Sequence, residues 1–151
     1  MPTVTRTALV AYSPAELFSL VNDVEAYPQF LPHCTATQVL ERASDTLVAR
    51  MTFARAGLTQ SVTTRNRLLL PRPQQVARID MELVEGPFAR LLGSWEFRPL
   101  GDAASKVLFS IDFDIDSQLA HLAAGPLVNQ AALVAMDAFQ QRAAALYGRR
   151  F

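Results

Sequence analysis

His33 beside Cys34, the series Asp112, Asp114 and Asp116, and a run of arginines are the side chains whose types and spacing suggest chemistry. An imidazole next to a thiol suggests a nucleophile with its base. Neighbours in extended chain point to opposite faces, however, so the two cannot share a proton there. Cys34 reads instead as a small buried hydrophobe and His33 as a surface or rim residue. The three aspartates recur at every second position and suggest a cation site, but on a strand such residues lie roughly 7 Å apart, which fits a solvated face better. His33, Cys34 and His121 are too few and too badly spaced for a structural zinc site, so no metal is expected. The glycines form no phosphate loop, and no nucleophile with a base or pair of pocketed carboxylates emerges, so the chain is not expected to be an enzyme.

The arginines carry a different chemistry. Arg42, Arg50, Arg55, Arg65, Arg67, Arg72 and Arg78 stand against the single acid Asp45 within that stretch. A solvated sheet face is the usual account of such a strip, but guanidinium groups also suit bidentate contact with the phosphates of ribosomal RNA or an anionic membrane. The formal net charge is +0, so any such attraction has to be local, and no DNA partner is expected.

These side chains need elements to position them. The 151 residues, half of them hydrophobic, suffice for one domain with one core, expected to span residues 1–151. Thr3 to Val10 alternates as a strand. Ser13-Pro14-Ala15-Glu16 then supplies an N-cap, a first-turn proline and a capping-box glutamate, and Tyr27-Pro28 and Leu31-Pro32 break off a short second helix. From Thr35 to Ile115 the period becomes two, with runs at Ala36 to Arg42, Thr46 to Phe53, Leu58 to Leu69, Val76 to Leu83, Ser94 to Arg98 and Lys106 to Ile115. Beyond Asp116-Ser117 a long alanine-rich helix is expected. The fold class is therefore α+β, a curved antiparallel sheet of about seven strands gripping a long C-terminal helix. No apolar run approaches the roughly 18 residues of a membrane span, and Met1-Pro2-Thr3-Val4 does not begin like a leader. A cytoplasmic protein is expected, one able to touch the inner membrane peripherally.

Two segments carry a resemblance. Leu20-Val21-Asn22-Asp23-Val24-Glu25-Ala26-Tyr27-Pro28-Gln29-Phe30-Leu31-Pro32-His33-Cys34, and Val84-Glu85-Gly86-Pro87-Phe88 through Gly93-Ser94-Trp95-Glu96-Phe97, are similar to the coenzyme Q-binding family of START-related domains, and most to its bacterial branch. Ala56-Gly57, Thr63-Thr64-Arg65-Asn66 and Ala138-Phe139-Gln140-Gln141-Arg142-Ala143 extend the similarity over nearly the whole chain. The resemblance implies a helix-grip fold with an interior tunnel. It also implies one of two roles: binding ubiquinone in support of respiration, or a toxin that binds a ribosomal subunit, blocks subunit association and inhibits translation. His33 departs from the pattern, since quinone-associated relatives often carry tryptophan there.

The expected function is non-catalytic carriage of a polyprenyl quinone or similar apolar lipid, with no cofactor beyond such a bound molecule; the ribosome-directed toxin is the alternative. Inward strand parity and the helix face predict a cavity lined by Met51, Phe53, Val62, Ile79, Met81, Trp95, Phe97, Phe109, Phe113, Leu127, Val134 and Ala138. Gln60, Thr64 and Asn66 share the inward parity of their strand, and buried polar groups need partners, which ligand or water would supply. Pro87, Phe88, Leu91 and Leu92 sit in a connection between strands, where two readings stand: a lid over the cavity, or a tight turn whose Phe88 packs into the core. Arg50, Arg65, Arg67 and Arg78 form the outward basic strip.

Overall fold

The computed structural model describes residues 3–55, 57–86, 88–115 and 118–148, without side-chain detail at 55, 115, 118–129, 131 and 132. Strand β1 (Thr3–Val10) is followed by helix α1 (Pro14–Asn22) and a single 3₁₀ segment (Val24–Gln29). Six strands follow, β2 (Cys34–Arg42), β3 (Thr46–Arg55), β4 (Leu58–Leu69), β5 (Ala77–Glu85), β6 (Phe88–Pro99) and β7 (Ser105–Ile115), and then helix α2 (Gln118–Tyr147). The seven strands form one antiparallel sheet in the order β1-β7-β6-β5-β4-β3-β2. Each strand from β2 to β6 pairs with its successor in sequence, while β1 closes onto β7.

Local chemistry sets the start of α1 as its sequence demands. Ser13 Oγ accepts from the Glu16 amide at 3.2 Å, the Glu16 carboxylate accepts from the Ser13 amide at 3.0 Å, and Pro14 fills the first turn. Two amides that the helix itself leaves unpaired are thereby satisfied. The break after α1 is equally local. Pro28 lies within the 3₁₀ segment, and the Tyr27 hydroxyl donates to the Val21 carbonyl, folding the segment back on α1.

One correction concerns β6. The strand begins at Phe88, not Ser94, and carries a register shift between Phe88 and Arg90. The expected connection around Leu91-Leu92 is therefore paired strand. Its alternation was hidden because Leu91, which faces inward, and Leu92, which faces outward, are both apolar.

Helix α2 lies across the concave face with Ala135, Met136, Ala138, Phe139 and Ala143 buried. Two hydrogen bonds tie its C-terminal end to the β1–α1 corner, and a third ties that corner to β7. The Tyr12 hydroxyl donates to the Gly148 carbonyl at 2.9 Å, Tyr147 donates to the Glu16 carbonyl at 3.2 Å, and the fully buried Ser105 hydroxyl donates to the Tyr12 carbonyl at 2.7 Å. Helix and sheet are thus fixed together at one end before any apolar packing is considered.

Ser13→Ala removes one half of the capping box. It is expected to lower the unfolding free energy by about 1 kcal/mol, with Ser13→Asp close to wild type; urea unfolding of both variants checks this, and equal losses would show that the cap contributes nothing.

Candidate functional site

The space between α2 and the sheet holds an apolar cavity of ≈ 110 Å³. Its wall comes from five strands, helix α2 and the 3₁₀ segment with the turn after it. Strand β3 gives Ala49, Met51 and Phe53; β4 gives Val62, Thr64 and Asn66; β5 gives Met81; β6 and β7 give Leu91, Trp95, Phe109 and Ile111. Ala135 and Phe139 of α2 face them, and Val24, Tyr27 and Leu31 close the side nearest the 3₁₀ segment. Trp95 stacks on Phe109 at 4.3 Å between ring centres and meets Phe139 edge-on at 5.1 Å. The cavity therefore has a rigid aromatic floor.

Size decides what fits. A void of this order takes one apolar ring, as an engineered cavity of about 150 Å³ takes benzene, and falls short of the roughly 300 Å³ at which pockets for larger ligands begin. Gly93 makes room beside that space for the Met81 side chain. It lies between Met81 and Ile111 in register, and a Cβ built on it would stand 2.7 Å from Met81 Cε. Met81 thus lies over the bare backbone of β6, and any side chain at Gly93 has to displace its thioether.

Polar groups on the wall are few. Thr64 and Asn66, 2 % and 6 % exposed, face the cavity from alternate positions of β4, and the Thr64 hydroxyl donates to Asn66 Oδ1 at 2.9 Å. Tyr27 is the third. Burial raises its pKa far above the ordinary phenol value, with Cys34 and Asp23 pushing the same way, so its proton stays on the oxygen that donates to Val21. Burial likewise pushes the Cys34 thiol up to about 11, which keeps it protonated at neutral pH. His33 stands at the turn into β2 with φ 71, and its carbonyl accepts from the Ala54 amide.

Of the positions expected on the wall, Met51, Phe53, Val62, Thr64, Asn66, Met81, Trp95 and Phe109 are there. Ile79 and Phe97 are buried elsewhere, because α1 covers that half of the sheet; Phe18 of α1 meets Phe97 edge-on at 6.4 Å. Inward parity identifies a face of the sheet but not which helix covers it. Phe113 belongs to a separate small cluster with Val62, Phe88 and Leu91. Gln60 lies beyond the last β4–β5 pair, Thr63 with Glu85, in an outer groove shared with Arg50, Ser61 and Glu85. On α2, Ala135 and Phe139 line the cavity where Val134 and Ala138 were expected, a one-residue difference that amounts to about 100° of helix rotation. The side chain of Leu127 lies outside the described residues. Val24, Tyr27 and Leu31 were missed although their helical spacing was visible.

The four lid positions separate. Phe88 is 4 % exposed and packs edge-on against Phe113 at 5.9 Å, which makes it core; Leu91 is cavity wall, Leu92 is 47 % exposed on the outer face, and Pro87 lies outside the described residues. Of the two readings of this connection, Phe88 in the core is the one its burial matches, and Phe88, Leu91 and Leu92 belong to the paired strand β6.

The outer face also corrects the basic strip. Arg65 stands opposite Glu82 and Arg67 opposite Asp80 in the β4–β5 register. Arg78 binds Glu96 at 2.7 Å and Asp80 at 2.9 Å, and its pKa is raised, chiefly by the hydrogen bond to Asp80. Arg50 lies 3.9 Å from Glu85, and Arg42 binds Glu25 at 2.8 Å. Strand β5 and its neighbours thus interleave acids that the sequence stretch from Arg42 to Arg78 does not contain. Asp112 and Asp114 face Arg90, at 2.9 and 3.8 Å, and among the described residues no cluster suited to a metal ion occurs.

A curved seven-stranded sheet that grips a long helix over an apolar cavity is the architecture of START-type lipid-binding domains. Residues 10–140 match the family described as polyketide cyclase / dehydrase and lipid transport, and the chain belongs to it. Among curated relatives, the ribosome association toxin RatA of Pseudomonas aeruginosa is 46% identical over 145 residues, covering 96% of this chain and 97% of that one. RatA of Escherichia coli is 40% identical over 99% of this chain and 92% of its own. The mitochondrial coenzyme Q-binding protein COQ10 of Drosophila melanogaster is 29% identical over 76% of this chain and 47% of its own length. Among solved structures, an 18 kDa Caulobacter crescentus protein superposes with TM-score 0.72 at 34% identity over 98% of this chain and 99% of that one. The Zhui aromatase/cyclase of Streptomyces superposes with TM-score 0.77 at 18% identity over 99% of each, a likeness of fold.

Two substitutions test this geometry. Phe88→Ser is expected to cost about 3–5 kcal/mol and Leu92→Ser less than about 0.5 kcal/mol in denaturant unfolding, and similar losses would contradict the assignment of opposite faces. Gly93→Val is expected to drive Met81 into the cavity, costing about 1–3 kcal/mol and lowering toluene affinity about tenfold by titration calorimetry.

Proposed function

We propose that this chain binds the ring end of a prenyl quinone or a similar apolar lipid, noncovalently and without turnover. The observation that carries the reading is the cavity itself, aromatic on its floor and, among the described residues, mostly apolar, with Thr64, Asn66 and Tyr27 among its few polar groups. Its volume suits one ring, so a prenyl tail has to leave the cavity or make room by repacking Met81, an unbranched side chain suited to that. What supports the absence of turnover is the state of the described wall: its ionisable member, Tyr27, is held protonated, and neither a carboxylate nor an imidazole stands on it. The name of the Drosophila relative, a coenzyme Q-binding protein, favours the same chemistry.

A second reading rests on a separate observation, the 40–46% identity over nearly the full chain to proteins named as ribosome association toxins. Under it, the outer face meets a ribosomal subunit through Arg65 and Arg67, both exposed and without an ion-pair partner among the described residues. Their cross-strand neighbours Glu82 and Asp80 lower the local potential, which weakens a purely phosphate-directed contact.

One pair of measurements separates the two. Mass spectrometry of an organic extract of the purified protein is expected to show a prenyl quinone or other lipid near one per chain, and the variant carrying Arg65→Glu and Arg67→Glu is expected to keep it. An empty wild-type protein that co-sediments with a ribosomal subunit, more weakly as salt rises and not at all in the double variant, would overturn the lipid reading in favour of the second.

A further inference from the structure

Asn66 is a polar side chain of the cavity wall with hydrogen-bonding capacity to spare. It is 6 % exposed, and its Oδ1 accepts the Thr64 hydroxyl at 2.9 Å. An amide also carries two N–H donors, and among the described residues neither has a protein partner. Both side chains line the cavity, so those donors border an otherwise apolar space. Thr64 does more than fill the wall. In the observed arrangement it donates to Oδ1, which leaves the N–H donors of the amide, not its C=O, for the interior.

A donor that faces an apolar space finds no protein acceptor there, and an acceptor atom on a bound molecule would complete it. We infer that Asn66 is the polar anchor of the cavity: it donates to an acceptor oxygen on the bound ring, and Thr64 is the positioning residue that orients it. The ligand class is then an apolar ring bearing a carbonyl or ether oxygen, and a plain hydrocarbon of the same shape is discriminated against. The register supports this position for the oxygen. Asn66 pairs with Met81, which pairs with Gly93, so the anchor stands beside the Met81 side chain that lies over Gly93. The ring then lies toward Trp95 and Phe109 with its oxygen toward β4.

This inference rests on the reading that the cavity is a ligand site, and the test keeps the two apart. Acetophenone and α-methylstyrene have nearly the same shape and differ by C=O against C=CH₂. Titration calorimetry of each with the wild-type chain and with Asn66→Leu, Asn66→Asp and Thr64→Val is the experiment. Wild type is expected to prefer the ketone by about three- to tenfold, the size of one net hydrogen bond. Asn66→Leu is expected to erase that preference by weakening the ketone while retaining α-methylstyrene, and Thr64→Val to reduce it with the amide released to turn. Asn66→Asp, an acceptor in place of a donor, is expected to favour neither probe over wild type and to bind the ketone least. An unchanged ratio in Asn66→Leu, with both probes bound, would overturn the anchor and leave the ligand site standing. Failure of wild type to bind either probe would overturn the ligand site and the anchor with it. Circular dichroism and thermal unfolding of each variant establish that the folded chain is being compared.

Discussion

Everything between helix and sheet depends on where Phe139 sits. Its ring meets Trp95 at 5.1 Å, Tyr27 at 5.3 Å and Phe30 at 5.3 Å, each nearly edge-on. One side chain of α2 thus touches the sheet, the 3₁₀ segment and the turn that follows it. The helix flanks it with alanines at 135, 138 and 143, which add little bulk of their own. The aromatic ring therefore acts as a spacer as well as an anchor. At the C-terminal end of the helix Ala143 is fully buried and the tyrosine clasp holds it there, while Ala135 and Phe139 border the cavity.

The same sheet has a second face with different rules. Alternation places Arg78, Glu96 and Arg98 together on the outside, with Glu96 accepting from both arginines at 2.7 and 2.8 Å. Arg90 lies between Asp112 and Asp114 in the same manner. These groups are at least partly exposed, so each pair adds little to stability. Their effect is on the field: positive and negative charge alternate from strand to strand, and a chain of formal net charge +0 presents no broad patch of one sign on this face. Recognition by the outer face would have to come from shape and from a few unpaired groups such as Arg65 and Arg67.

How much of this was legible beforehand follows from which interactions are local. The capping box at Ser13, the break at Pro28 and the period of two from β2 to β7 are determined by neighbours in sequence, and all were readable as such. Eight wall positions followed from parity alone. What parity cannot supply is the third dimension. Ile79 and Phe97 have the right parity but lie beneath α1, and Arg65 reads as part of a basic strip until Glu82 is seen beside it from another strand. The start of β6 was obscured for a different reason: two leucines in succession erase the contrast on which a period of two depends. The phase of α2 differs by one residue because alanines supply little contrast, and Phe139 is the large side chain that marks the cavity-facing side among the described residues.

Alternation has one more consequence for function. Asn66 points into the cavity, and its neighbours Arg65 and Arg67 point into solvent, so the interior donor and the exposed cations are consecutive residues of one strand. No side chain can serve both faces, which makes an interior ligand and an exterior partner separable by single substitutions in β4. The backbone, by contrast, is shared. β4 is hydrogen-bonded on both sides, to β3 and to β5, and a register shift between Thr63 and Thr64 already lets three successive residues, Val62, Thr63 and Thr64, be buried there. A strand held on both edges resists displacement, so an occupied cavity changes the outer face little unless that bulge moves. The two faces of this protein are therefore chemically independent and mechanically joined at a single irregularity in β4.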